Sequence, residues 1–287
     1  MSTPHPTTSV DEGTSTSREQ LLIGGSQSDL SIVVGEDDDL IPSLRCVDSV
    51  KNQRQLVLAP VDMHKRNLQH RLPSASTDSI SITDIAEVAE GVLSTGSNGA
   101  INLDRIDRLS ALRKALESRD DVRQRIAAIP GVEASAESVE HLRSEVESVT
   151  NYHPTRVECW RDIATETPAP TSHDTTELLD ISIEMQQALA ASTSKAVSGV
   201  EVVRRATRAV MVHDVWGEVY PGVSRLVFVG MSSLSAPHID FLHSIAEETA
   251  VEVEIYCRRG TGAYHIERVA PVVDVSSPGR VIPEVRG

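Results

Sequence analysis

The stretch Arg225–Tyr256, RLVFVGMSSLSAPHIDFLHSIAEETAVEVEIY, decides the fold. Leu226, Val227, Phe228 and Val229 form a short apolar run of the kind that suits a strand buried on both faces of a parallel sheet. Gly230 ends the run. Ser235 is a good helix N-cap, and Pro237 falls in the first turn, where its missing N–H loses nothing. Ile239, Leu242, His243 and Ala246 then recur at helical spacing. Val251, Val253 and Ile255 alternate with Glu252 and Glu254, which predicts a second strand with one more exposed face. A strand–helix–strand unit of this kind points to an α/β fold built on a parallel sheet.

Upstream of this unit, Leu21–Ile23 and Leu30–Val34 read as strands. Leu40, Leu44 and Val47 mark one face of a helix, with Pro42 in its first turn. Gln55–Ala59 is a strand that stops at Pro60, and His64–Leu72 a short helix with a basic stripe. A further short strand covers Ser79–Ile82, and Thr83 caps a helix carrying Ile85, Val88, Ala89 and Leu93. From about Asn102 to Val215 the patterns are helical throughout: Ile106 to Leu116, Val122 to Ile129, Val139 to Val149, Leu178 to Leu189 and Val200 to Val210. Thr167 to Asp174, with Pro168 and Pro170, reads as a loop. Residues 1–20 hold little to bury and are expected to form a disordered tail, with a second tail at 261–287. The expected division is an α/β domain of residues 21–99 and 216–260 with a helical subdomain, 100–215, inserted in it.

The net charge is −15, which argues against a free-standing non-specific nucleic-acid binder but leaves room for a local basic groove. Of 27 basic residues four are lysine (Lys51, Lys65, Lys114, Lys195), so 23 are arginine, and aromatic residues are scarce. This balance resembles that of proteins from salt-accumulating archaea. In molar salt the Debye length is about 3 Å, so the charge then reflects the solvent more than a partner. Cys46, Cys159 and Cys257 stand far apart with no zinc-ligand spacing, so no metal is expected and the thiols read as reduced. No stretch approaches the roughly 20 apolar residues of a membrane span, and the expectation is a cytoplasmic protein with no membrane partner.

The order of these segments resembles the first motor domain of superfamily 1 helicases, the UvrD-like type found in AddB and RecB subunits of helicase–nucleases. In that family a first strand leads to a phosphate loop. A second strand ends in a Pro-containing loop that touches single-stranded DNA, matched here by Leu56-Val57-Leu58-Ala59-Pro60. A segment like Ser81–Ala86 follows, then a helical insertion. The chain returns as the strand that carries the magnesium-binding acids, with a Pro-containing helix after it, matched by Val227–Leu242. The resemblance covers about residues 30 to 257. It implies a P-loop-NTPase or helicase type of parallel sheet with a helical insertion.

The departures fall on the ATP site. A working phosphate loop reads G-x-x-x-x-G-K-[ST], its amides cradling phosphate and its Lys neutralising it. No lysine of this chain follows a glycine. The loop in the matching position is Gly35, Glu36, Asp37, Asp38 and Asp39. Unit charges at about 4 Å repel by about 4 kcal/mol at an effective dielectric near 20, so acids there oppose phosphate. On the returning strand Gly230, Met231, Ser232 and Ser233 stand where the metal-binding acids belong. These positions read as vestigial nucleotide and metal motifs, which leaves no catalytic residue and no cofactor. Gly35–Asp39 also admits a hard-cation site or a solvated helix start. Pro60, His64, Lys65, Arg66 and Arg71 are the candidate DNA contacts; a plain basic surface is the alternative.

Asp180 and Glu184 form a possible carboxylate pair or an exposed helix face, and Ser232 lacks the G-x-S-x-G setting of a hydrolase nucleophile. Arg204-Arg205 and Arg258-Arg259 read as surface clusters. The resemblance therefore implies a non-enzymatic, catalytically degenerate helicase-domain protein. Such a protein contacts DNA or acts as a scaffold in repair or recombination, beside a helicase or nuclease partner subunit. The alternative is an α/β protein-interaction module unrelated to nucleic acid.

Overall fold

Leu56 and Leu58 point to one side of their strand and Val57 and Ala59 to the other, and all four are buried. Leu226 and Phe228 alternate in the same way with Val227 and Val229. A computed structural model describes residues 19–23, 30–35, 40–42, 44, 54–72, 79–94, 102–213, 215–231 and 235–258. Among them, six strands form one sheet in the order β1-β2-β6-β5-β3-β4. The strands are β1 (Glu19–Ile23), β2 (Leu30–Gly35), β3 (Arg54–Leu58), β4 (Ile80–Thr83), β5 (Val223–Met231) and β6 (Glu252–Arg258). Only β1 runs antiparallel, against β2; the pairings β2–β6, β6–β5, β5–β3 and β3–β4 are parallel.

Both faces of a parallel sheet must be covered, because its crossovers run over them. One face carries α2 (Ile85–Ser94), α8 (Gly199–His213), α9 (Trp216–Val219) and α10 (Ala236–Glu248), whose Val88, Val203, Ala206, Trp216, Phe241 and Ile245 join Leu56, Phe228 and Ile255 in one core. The other carries helical residues 40–42 and 44 with α1 (Asp62–Arg71), through Leu40, Leu44 and Leu68. Phe228 and Phe241 are fully buried, a transfer worth about 1.5–3 kcal/mol each. Gly91 on α2 lets the Tyr220 phenol approach, since a Cβ there would strike that hydroxyl.

The remaining helices build a separate lobe: α3 (Arg105–Glu117), α4 (Asp120–Ala128), α5 (Ala136–Thr150), α6 (Pro154–Glu166) and α7 (Thr171–Ser192). Its core of Leu112, Ile126, Val139, Ile181, Met185 and Leu189 shares no residue with the sheet's two cores. The chain enters and leaves this lobe through one neck, where Asn102 bridges Ala196 and the Leu103 N–H donates to the Ala196 carbonyl at 2.8 Å. Although α8 belongs to the same helical stretch of sequence, it packs on the sheet.

One helix goes beyond the expectations, and three local expectations are corrected. The helix α6 had no apolar stripe to announce it; Val157 and Ala164 are its buried members, and Trp160 packs partly against the lobe. The α7 helix begins at Thr171, inside the stretch read as a loop. The cap of α2 is Asp84, whose Oδ1 accepts from the Glu87 N–H at 2.8 Å, whereas the Thr83 hydroxyl donates to the Glu87 carboxylate. Glu254 is buried rather than exposed: it lies on a covered face, where Arg225 Nη2 donates to its Oε2 at 2.8 Å. Ser235 does hold the N-cap position of α10, but its hydroxyl makes no capping bond. The expected tails lie outside the described residues, except Glu19 and Gln20, which open β1.

Candidate functional site

Parallel strands deliver the residues after them to one edge of the sheet, and ligands of α/β folds bind there. Gly35, the last residue of β2, pairs with Arg258 of β6, and Met231, the last of β5, pairs with the adjacent Cys257. The two candidate vestigial motifs therefore begin at the same edge on either side of β6, about 10 Å apart by strand spacing. Gly230 and Met231 are strand residues; Glu36, Asp37, Asp38, Asp39, Ser232 and Ser233 lie outside the described residues. Pro60 follows β3 at this edge and is exposed. After β3 the chain crosses to one face as α1; after the neighbouring β5 it crosses to the opposite face as α10.

The basic stripe on α1 is not uniformly available. Lys65 Nζ donates to Asp84 Oδ2 at 2.7 Å and to Glu87 Oε2 at 3.4 Å, and lies 3.7 Å from Asp62. The hydrogen bond it donates to Asp84 raises the Lys65 pKa against the opposing pull of burial. Burial pushes the Asp84 carboxyl up, but the Lys65 ammonium and two backbone amides bring it below its usual range. His64 is buried. Arg66 is exposed, as is His70, and Val61 and Met63 present apolar surface beside them, 57% and 79% exposed. Arg71 is half-buried at the end of the helix. The exposed surface of this segment is thus Pro60, Val61, Met63, Arg66 and His70.

The other concentration of charge is where the lobe meets the sheet, and it is buried. Asn151 caps α5 in the left-handed region (φ 49°), followed by Tyr152 at φ 52°. An aromatic residue there is held by its surroundings: the Tyr152 hydroxyl donates to the Arg143 carbonyl and pairs with Ser182. The turn aims the Asn151 amide at Asp240 of α10, donating at 2.6 Å, while its carbonyl accepts from Arg204 Nε at 2.7 Å. Arg156 of α6 grips both Asp240 oxygens. Arg204 also pairs with Glu147, which accepts from Arg143 Nη1 at 2.8 Å. Burial pushes the Glu147 carboxyl up, yet Arg204 and Arg143 beside it hold it below its usual range. Burial pushes the Tyr152 phenol upward, so it stays protonated.

A model of the family described as "Halobacterial UvrD-like protein" matches residues 17–284. The chain belongs to that family. No curated protein matches it. The UvrD-like assignment agrees with the α/β architecture and its parallel pairings. Among the described residues of this UvrD-like chain no cluster of His, Cys, Asp and Glu is placed to hold a metal ion. None of its described helices is long and apolar enough to cross a membrane.

Sequence reading places one residue of this junction elsewhere and passes over the others. Arg204 reads as surface and is buried; a signal exists, because it sits within the apolar stripe of Val200, Val203 and Val210. Arg143 and Glu147 stand at i,i+4 spacing, which on its own marks an ordinary helix pair. Asp240 and Arg156 carried no signal, because 84 residues separate them. Asp180 and Glu184 are not a carboxylate dyad: Asp180 pairs with Arg161 on α6, and Glu184 with Arg119 and Arg125.

Proposed function

We propose that this UvrD-like chain is a helicase-domain protein of the AddB/RecB kind that has lost the motor chemistry and serves as a DNA-contacting or scaffold subunit in DNA repair or recombination. The observation that carries this reading is the family match over residues 17–284 in a sequence where no lysine follows a glycine. Phosphoryl transfer rests on positioning and charge stabilisation, so a phosphate loop without its Lys, with acids in its place, supports loss of turnover. The vestigial positions in this reading are Gly35–Asp39 and Gly230–Ser233, and no cofactor is needed.

The contact surface for single-stranded DNA is the Pro60–Arg66 segment, with apolar Val61 and Met63 against bases and Arg66 on phosphate. The net charge of −15 belongs in this reading to an acidic surface adapted to molar salt in the cytoplasm. The domain division in this reading is the sheet of 21–99 and 216–260 with the inserted stretch 100–215, of which α8 packs back on the sheet. A helicase or nuclease subunit that keeps its motor is the partner.

Fluorescence anisotropy with a labelled oligothymidylate, at several salt concentrations, tests the DNA contact. Binding that weakens linearly in log–log with salt supports it. A chain that leaves the oligonucleotide free at every salt concentration is instead an α/β interaction module unrelated to nucleic acid.

A further inference from the structure

The lobe joins the sheet by two passes of the chain at the neck, and domains joined in this way hinge by default. Here the neck is braced. Arg108 of α3 donates from Nη1 to the Leu103 carbonyl on the entering pass at 3.3 Å and to the Val197 carbonyl on the leaving pass at 3.2 Å. The Val197 N–H donates to Glu201 Oε2 at 2.7 Å, which ties the leaving pass to the first turn of α8. Arg205 of the same helix donates to the Ser194 and Lys195 carbonyls, each at 3.1 Å.

A second brace crosses the junction itself. Asp240 of α10 accepts from Arg156 of α6 and from Asn151 at the end of α5, and Glu147 of α5 accepts from Arg204 of α8. All five side chains are buried. An exposed ion pair can exchange its partner for water, but a buried one that is pulled apart leaves its charges unpaired. Salt also screens buried pairs much less than surface ones.

The turn between α5 and α6 ties this brace to the backbone. Asn151 and Tyr152 both have positive φ, 49° and 52°, which such residues keep only where their surroundings over-determine it. The Tyr152 hydroxyl is held inside the lobe by Arg143 and Ser182. The Asn151 amide reaches out of the lobe to α10 and α8. Swinging the lobe would break both Asn151 bonds and free no backbone group to replace them.

We infer that lobe and sheet form one rigid body, locked at the neck by Arg108 and Arg205 and across the junction by Arg156, Asn151 and Asp240. The lock fixes α10, the helix that follows β5, to the lobe. It does not depend on the function proposed above.

Double electron–electron resonance between two nitroxide labels on the full chain tests it. Cys159, exposed on α6, takes one label, and Glu90→Cys, exposed on α2, takes the other. Cys46→Ser removes a further thiol, and burial pushes the Cys257 thiol up to about 11, out of the labelling range. The lock predicts a single distance, no wider in distribution than that from Cys159 to Arg113→Cys, both within the lobe. The distance should be the same in molar salt and in the lowest salt that keeps the chain folded. Asp240→Asn, which strips Arg156 of its counter-charge, should add a second distance or broaden the first. Asn151→Gly should do the same, although glycine suits a positive φ, because the bonds to Asp240 and Arg204 are lost. Arg123→Ala, which breaks an exposed pair with Asp120 inside the lobe, should change nothing. The inference is overturned if the unaltered junction gives two distances or one that moves with salt. It is equally overturned if folded Asp240→Asn and Asn151→Gly chains keep the narrow distribution. Should either variant fail to fold, the salt series on the unaltered junction still decides.

Discussion

Arg156 and Asp240 face each other across the junction of lobe and sheet, Nη2 to Oδ1 at 2.5 Å and Nη1 to Oδ2 at 3.0 Å. Asp240 is wholly buried and Arg156 nearly so. The pair ties α6 to α10, and Asn151 adds α5 and α8 to the same knot. Removing one partner strands the other charge out of water, at a cost of about 3–5 kcal/mol. Asp240→Ala should therefore lower unfolding stability by that order in a denaturant titration. The double variant Arg156→Met with Asp240→Leu should lose less than the sum of the single variants. Strict additivity would mean that the pair is not coupled.

Acid should act in two stages. Burial lowers the His238 pKa to about 4 from 6.5, so the unfolded chain takes up this proton first. Stability from the neutral imidazole is complete above about pH 6.5 and falls as pH drops toward 4. Glu147, held below 4.5 by Arg204 and Arg143, adds a second loss only under that value, as its carboxylate is protonated. His238→Asn should remove the first stage and spare the second. Melting temperatures from pH 7.5 to 3.5 check this; a wild-type Tm that stays level between pH 6.5 and 4.5 contradicts it.

Lys65 and Arg66 are neighbours in sequence with opposite settings. The Lys65 ammonium is enclosed by Asp84, Glu87 and Asp62, whereas Arg66 faces solvent. If α1 meets the phosphate backbone, Arg66→Ala should weaken oligonucleotide binding several-fold and reduce the salt slope by about one. Lys65→Ala should change that slope by less, because its charge is already neutralised. Equal effects of the two variants in anisotropy titrations would contradict this division.

The sheet was legible because its strands announce themselves by unbroken apolar runs. Leu226–Val229 and Leu56–Ala59 are buried on both faces and needed no partner to be recognised. The α6 helix was not legible, since its buried side includes Arg156, whose partner lies on α10. Glu254 was misjudged for a related reason: alternation reports which residues share a face, not whether a helix covers that face. The junction stayed hidden because its charges are satisfied only by residues distant in sequence, such as Asn151 and Arg204.

The central claim is that a UvrD-like fold persists here without its motor. A steady-state assay of magnesium-dependent ATP hydrolysis, with and without single-stranded DNA, in salt that keeps the chain folded, tests it most directly. The account predicts no turnover above background under either condition, and none regained by restoring a phosphate-loop lysine alone, because the metal-binding acids would still be missing. DNA-stimulated hydrolysis by the unaltered chain, abolished by changing Ser232 or Ser233, would contradict it.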